Sequence, residues 1–311
     1  MLTIPLDVEC PKKMSNAKGS TMIIRFIKQL MRAPALFVMR YKARNLLTQL
    51  VSHADPTLNA IGAALQETLD QIFSKQEQEF VSLIEQRRAL LLKSDQEIAV
   101  VDFGAGAPDS NRTKEQMDHG IQSTAAVAEV ASASKSQFWA VYLFKLIRKL
   151  KPASCVELGS CVGISAAYQA KALYLNEKGS IVSLEGSPEI AKIAEKTFED
   201  LAIQNASIIT GPFQQTLQNV LESAKPIDFF FNDGHHDHDA VIQYFEEAFP
   251  YLSDGAVIVF DDISWSPGMK RAWAEIENDQ RIFATINHRK IGIAVVNKKA
   301  ASAKVHFRIP L

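Results

Sequence analysis

Apolar and polar positions follow two different rhythms along this chain of 311 residues. Between Asp55 and Ser94, Leu58, Ile61, Leu65, Leu69, Ile72 and Phe73 recur at three- and four-residue steps, the period of a helix with one buried stripe. Asp55-Pro56 is a start signal, because proline is tolerated at the first helical position, where an N–H has no partner anyway. A second set, Phe80, Leu83, Ile84, Leu90 and Leu91, carries the helical pattern on to Lys93. The pattern then breaks. EIAVVDFGAGAPDSNR, Glu97 to Arg112, reads as a short strand running into a loop that could lie over the mouth of a pocket, with Gly104 and Gly106 serving a tight turn. Phe138 to Leu150 reads as an amphipathic helix stopped by Lys151-Pro152.

After Pro152 the rhythm alternates. Short apolar runs at Ser154–Leu158, Ile181–Leu184, Ser207–Ile209, Asp228–Phe231 and Ala256–Phe260 are separated by helical patterns at Ile164–Leu175, Pro188–Leu201, Phe213–Ser223, Ala240–Tyr251 and Met269–Glu277. Strands at such intervals with helices between them specify a parallel sheet covered on both faces. Arg281–Ile286, Ile291–Val296 and Lys304–Arg308 lack intervening helices, so the end of the sheet should turn antiparallel. The reading is a helical N-terminal extension over residues 1–94 and a doubly wound α/β domain over 95–311.

Residues 1 to about 20 read as a mobile tail. Residues 22–47 mix long apolar side chains with Arg25, Lys28, Arg32, Arg40, Lys42 and Arg44, and Pro34 divides them, which excludes a spanning helix. This segment suits an amphipathic helix packed on the main domain or on a second subunit, giving a homodimer through the helical extension. It also suits a peripheral contact with an anionic membrane surface. A net charge of −1 gives no reason to expect nucleic acid. Cys10, Cys155 and Cys161 have no metal-binding or paired spacing, which favours reduced thiols and a cytoplasmic address.

In doubly wound sheets, ligands bind beyond the carboxyl ends of the strands. The first such end, VELGSCVGISAAY, places Gly159 and Gly163 around a turn into a helix whose free N–H groups face outward. Its G-x-x-x-G spacing is neither the dinucleotide nor the triphosphate fingerprint. Glu185 ends the second strand, 22 residues beyond Gly163, where a carboxylate can accept both hydroxyls of a ribose, and Ser187 before Pro188 reads as a helix cap. Phe213 could cover an adenine or simply belong to the core, and Gln214 could offer its amide to the base edge. Asp233, Asp261 and Asp262 stand at the fourth and fifth strand ends.

VELGSCVGIS, LEGSPE, ITGPFQ, IDFFFNDGHH and VFDDI, in this order and spacing, resemble the class I S-adenosylmethionine-dependent methyltransferases, and more narrowly the catechol- and macrocin-type small-molecule O-methyltransferases. The resemblance covers roughly residues 130 to 300. It implies a Rossmann-like sheet of seven strands, mostly parallel with an antiparallel C-terminal end, and methyl transfer to a hydroxyl of a small-molecule acceptor. It also implies a donor site from Glu157, Gly159, Ser160, Gly163, Ser165, Glu185, Gly186, Ser187, Phe213, Gln214 and Asp233. Asp233, Asp261 and Asp262 would hold a divalent cation, for which an all-carboxylate set suits magnesium. Two departures stand out: the fifth strand carries Asp-Asp where catechol-type enzymes have Asp-Asn, and His236 replaces their base lysine.

FFFNDGHHDHDAV raises a zinc cage as a rival, but Ala240 and Val241 break the metallo-hydrolase pattern. His236, three residues past Asp233, is instead read as the general base, with His235 or a residue of the extension as alternatives and Asp233 as its catalytic neighbour. Trp265 and Met269 are expected to wall the acceptor site. Two other functions compete: a nicotinamide oxidoreductase, which should show GxGxxG, and a non-catalytic donor-binding scaffold.

Overall fold

A computed structural model describes residues 44–106, 112–299 and 304–311. The expected tail and most of the basic apolar segment, residues 22–43, lie outside the described residues. Residues 44–51 are helical and lead into α1 (Pro56–Leu69) and α2 (Lys75–Leu91). The Asp55 side chain accepts from the Thr57 and Leu58 N–H groups at 2.9 and 3.0 Å, capping α1. Ser74 and Glu77 form a reciprocal capping box at the start of α2.

β1 (Glu97–Asp102) passes through α3 (Lys114–His119) to β2 (Ile121–Ala126), and the two strands make a separate antiparallel ribbon. α4 (Val127–Ser132) and α5 (Gln137–Leu150) follow. The alternating part comprises β3 (Ser154–Leu158), α6 (Ile164–Leu175), β4 (Ser180–Glu185), α7 (Pro188–Asp200) and β5 (Ala206–Thr210). It continues with α8 (Phe213–Ala224), β6 (Ile227–Asn232), α9 (His238–Ala248), β7 (Leu252–Phe260) and α10 (Pro267–Asn278). β8 (Ile282–Asn287), β9 (Gly292–Val296) and β10 (Val305–Arg308) complete the sheet.

The sheet runs β10-β8-β9-β7-β6-β3-β4-β5. It has eight strands rather than the expected seven, because β10 adds itself parallel to the free edge of β8. Of the last three strands only β9 opposes the rest. α10 returns the chain to its starting end before β8, whereas a tight turn over residues 288–291 forces reversal into β9. The chain winds outward through β3, β4 and β5, then comes back to lay β6 against the other side of β3. That reversal opens a crevice between the tips of β3 and β6.

Successive side chains of a strand point to opposite faces, and both faces here are buried. Phe229 and Phe231 enter one apolar cluster and Phe230 the other. The first cluster, on the face covered by α5 and α6, extends without interruption to Leu50, Leu58, Ile61 and Leu65 of the leading helices. Residue 94 therefore marks a change of secondary structure, not a break in the core.

A charged network crosses the same seam. Glu77 of α2 accepts from Lys145 Nζ at 2.9 Å and Arg148 Nε at 3.1 Å, and Lys145 also meets Glu67 at 3.0 Å. The Lys145 side chain is only 1% exposed. Burial pushes the Glu77 carboxyl up, but Lys145, the Ser74 N–H and Arg148 outweigh it and hold it below the ordinary range. Glu77→Ala should therefore cost about 3 kcal/mol, by leaving a buried ammonium half-paired and removing a cap. Glu67→Ala, at a more exposed carboxylate, should cost less than about 1 kcal/mol. Urea unfolding midpoints of the two variants check the contrast.

Candidate active site

The turn after β3 is shaped by two left-handed glycines, Gly159 (φ +91°) and Gly163 (φ +83°). A Cβ on Gly159 would stand 2.5 Å from the Asp233 carbonyl oxygen, so only glycine lets the β3 and β6 tips approach this closely. Gly163 answers to packing instead: a Cβ there would meet Ala194 of α7 at 3.0 Å. Gly159, Ser160, Cys161 and Ser165 line a cavity of about 380 Å³ beyond the strand ends. Glu185 and Gly186 form a second wall, and Phe213 with Asp233 to His236 forms a third. The ribbon closes the remaining side with Val100 to Gly104 and Ser123, so the end of β1 and the two residues after it reach the pocket, while residues 107–111 of the expected loop lie outside the described residues.

Two glutamates serve the turn differently. Glu157 is fully buried under it, accepting from Gln169 Nε2 at 2.9 Å and from the Ser183 hydroxyl. Glu185 reaches the cavity, with its oxygens accepting from the Ser187 N–H at 3.0 Å and the Cys161 N–H at 2.9 Å. These two bonds fix the carboxylate while leaving acceptor capacity on each oxygen. Burial raises both carboxyls to about 7, against the bonds that favour their ionised forms.

The acidic cluster is assembled by strand register. β6 and β7 pair with Asn232 opposite Phe260, so the next residues, Asp233 and Asp261, emerge side by side. Between them lies a residue with no part in the sequence reading, Lys135. Its Nζ donates to Asp233 Oδ1 at 3.1 Å, lies 3.0 Å from Oδ2, and donates to Asp261 Oδ2. The lysine side chain is 6% exposed and passes over the Phe231 ring. Burial disfavours its charge, but Asp233 and Asp261 overcome this and hold its pKa above the ordinary value. Burial and the neighbouring Asp261 push Asp233 well up. Asp261, although burial opposes its charge, is held low by Lys135 and Asp233. The two carboxyls are thus driven in opposite directions, and the ammonium favours the charge on Asp261.

His236 Nε2 lies 3.9 Å from both Asp233 Oδ1 and Asp262 Oδ2. Burial lowers its pKa against the pull of Asp261 and Asp262, leaving a neutral imidazole at neutral pH. Asp262 sits in the left-handed region (φ +48°). Its carboxyl is raised by burial and by Asp261.

The three histidines diverge. Buried His235 bonds the Tyr244 hydroxyl through Nδ1 and stacks on that ring. His238 faces solvent between Asp239 and Glu275. Asp233, His236 and Asp261 do bring ligand atoms within 4.8 Å of one another, so the cluster a cation could use includes His236 rather than Asp262. Asp261 Oδ1 is also buried, and among the described residues only the neighbouring Asp233 carboxyl could share a proton with it. Against a resident divalent ion stands the ammonium bound to the same carboxylates. Within roughly 4 Å the two cations would repel by about 8 kcal/mol at an effective dielectric of about 20. Withdrawing Lys135 would leave it buried and unpaired. The residues present do not fit magnesium.

Most of the expected donor residues surround the cavity, with some exceptions. Gln214 is exposed on α8, away from it. Phe213 both lines the cavity and packs in the core, its ring 5.5 Å from His235 and 5.8 Å from Tyr244. Ser187 occupies the N-cap position of α7 without capping it. Its Oγ accepts from the Val101 N–H at 3.2 Å, tying the ribbon to the β4 turn. Met269 belongs to the core and Trp265 is exposed, and neither lines the cavity. Lys135 escaped the sequence reading because it lies 98 and 126 residues from its partners, inside an Ala/Ser stretch with no motif. The lone charge just before the apolar helix QFWAVYLF was the available signal.

Residues 156–263 match the family model described as a methyltransferase domain. Among solved structures the chain is similar to the Bacillus cereus O-methyltransferase in complex with SAH, at 24% identity over 55% of this chain and 86% of that one, TM-score 0.48. It is also similar to an SAH-bound methyltransferase from Podospora anserina, at 18% identity over 54% and 82%, TM-score 0.48. A third is the Streptomyces achromogenes O-methyltransferase involved in tomaymycin synthesis, in complex with SAM, at 19% identity over 53% and 82%, TM-score 0.44. No curated protein matches the sequence. With TM-scores below 0.5 these likenesses add no argument about activity, so the weight rests on the matched segment, which spans the strand ends from Glu157 to Asp262. Over that segment, about a third of the chain, the sequence is similar to the methyltransferase domain family.

Proposed function

We propose that this chain transfers a methyl group from S-adenosylmethionine to a hydroxyl of a small-molecule acceptor. The observation that carries the reading is Glu185, whose carboxylate is fixed by two backbone N–H groups on the wall of the cavity, beside the left-handed Gly159 turn. A carboxylate held in this way accepts vicinal hydroxyls of a ribose. Gly159, Ser160 and Ser165 would meet the amino-acid end of the donor, Phe213 would cover the base, and Asp233 closes the far side. Bound there, the donor would supply an electrophilic methyl on a sulfonium, to be attacked in line by the acceptor oxygen as the carbon–sulfur bond breaks and the neutral thioether leaves.

This chain's residues have to align the acceptor and remove its proton. His236, neutral at physiological pH, takes that proton at Nε2, and the charges of Asp261 and Asp262, the latter 3.9 Å away, favour the imidazolium that forms. His235 is committed to Tyr244 through Nδ1 and plays a supporting part. The ribbon residues Asp102 and Phe103 restrict water on the open side. Magnesium assistance is left out of the proposal because Lys135 already binds Asp233 and Asp261. A nicotinamide oxidoreductase would share Glu185 but lacks support from the Gly159–Gly163 turn.

The division into an extension over 1–94 and a catalytic part over 95–311 belongs to the same proposal. So do a cytoplasmic address, which the unpaired thiols of Cys155 and Cys161 support, and pairing of two copies through α2, which exposes Leu83 and Leu90 on one face. No helix among the described residues is long and apolar enough to cross a membrane.

Calorimetry of the full chain with S-adenosylhomocysteine should show one site, weakened at least ~10-fold in Glu185→Ala, about the 1–3 kcal/mol expected from losing hydrogen bonds to a charged group. Absence of any affinity overturns the reading. Because the free Glu185 carboxyl titrates near 7 and hydroxyls favour its ionised form, affinity should rise as pH increases from 6 to 8, and Glu185→Gln should flatten that rise. His236→Gln should keep donor binding while lowering turnover by roughly 10²- to 10⁴-fold. Unchanged turnover would remove His236 as the base.

A further inference from the structure

We propose that Lys135 is the built-in cation of the acidic site, holding the place between Asp233 and Asp261 that a divalent ion would take, so that this site works without a metal. Three observations meet here. Its Nζ reaches both oxygens of Asp233, at 3.1 and 3.0 Å, and also Oδ2 of Asp261, so one ammonium serves both strand tips. The side chain is 6% exposed and has these carboxylates as its charged partners, which prevents it from swinging aside for an incoming ion. The backbone that carries the two carboxylates is fixed at the strand ends, with the Asp233 N–H donating to the Leu158 carbonyl and the Asp261 N–H to the Asn232 carbonyl, each at 3.0 Å, which holds the two acids side by side around the ammonium.

An ammonium has three N–H donors. Asp233 and Asp261 engage two, and Lys135 lines the cavity, which leaves the third for an oxygen of a bound molecule. Lys135 thus fixes the acids and offers a hydrogen bond where a metal would offer a coordination bond. Its relevance to methyl transfer rests on the function proposed above, but its standing as the site's cation does not.

Titration of the full chain with Mn²⁺, followed by electron paramagnetic resonance and calorimetry, separates the two claims, because it needs neither donor nor acceptor. Wild-type protein should bind no Mn²⁺ or Mg²⁺ below millimolar concentration, and its thermal midpoint should not move with EDTA. Lys135→Met removes the charge and keeps the length, freeing both Asp233 oxygens and Asp261 Oδ2 beside His236. It should gain one Mn²⁺ per chain at least 10-fold more tightly, and adding Asp261→Asn should abolish that gain. A wild-type site that binds one Mn²⁺ and loses it in Asp261→Asn overturns the proposal, as does a folded Lys135→Met that gains none. Should circular dichroism show Lys135→Met unfolded, Lys135→Arg decides with wild type: neither binding Mn²⁺ supports the proposal, and either binding it at the aspartates overturns it.

Discussion

An ammonium taken out of water costs several kcal/mol unless close carboxylates return the loss, and this requirement organises the site. Lys135 belongs to the segment entering α5, Asp233 to the tip of β6 and Asp261 to the tip of β7. Only when β6 and β7 pair in register do the two acids stand together, and only when α5 packs on the sheet does the lysine reach them. The electrostatic centre thus depends on contacts between distant segments of the chain. It joins the part of the chain before β3 to the strands that follow it.

Around this centre the carboxyls are differentiated by depth and partners. Glu157 is sealed beneath the turn and satisfied by Ser183 and Gln169, a structural task. Glu185, raised to a similar value by burial, faces the cavity and is held by backbone N–H groups, which leaves it able to greet a ligand. Asp261 keeps its charge opposite Lys135, while Asp233 is pushed toward its neutral form. His236 lies within reach of both Asp233 and Asp262 yet is bonded tightly to neither, which agrees with the proton-accepting role proposed for it.

Periodicity made most of the fold legible. The helices of the extension, the alternation after Pro152 and the strand-end position of Glu185, Asp233 and Asp261 follow from local spacing. What escaped are relations between distant segments. β10 joins β8 across the edge because pairing partners are chosen by geometry that a single strand does not display. Ser187 has the sequence of a cap, but a donor from β1 arrives at its hydroxyl and wins it. Gln214 follows Phe213 in sequence, yet on α8 the two side chains diverge, one inward and one outward. Lys135 is the sharpest case, since nothing near it in sequence announces a buried charge.

The uninterrupted core between the leading helices and the sheet has a consequence for biosynthesis. α1 and α2 leave the ribosome before α5 and α6, carrying Leu58, Ile61, Leu65, Val81 and Ile84, which find much of their cover on those later helices. Until those later helices emerge, the nascent chain presents greasy stripes and an unmatched Glu77, a stage at which chaperone capture competes with assembly. Trimming the gene from its front would shift the same exposure onto α5 and α6 in the finished molecule, so the opening helices cannot be treated as an ornament on a self-sufficient catalyst.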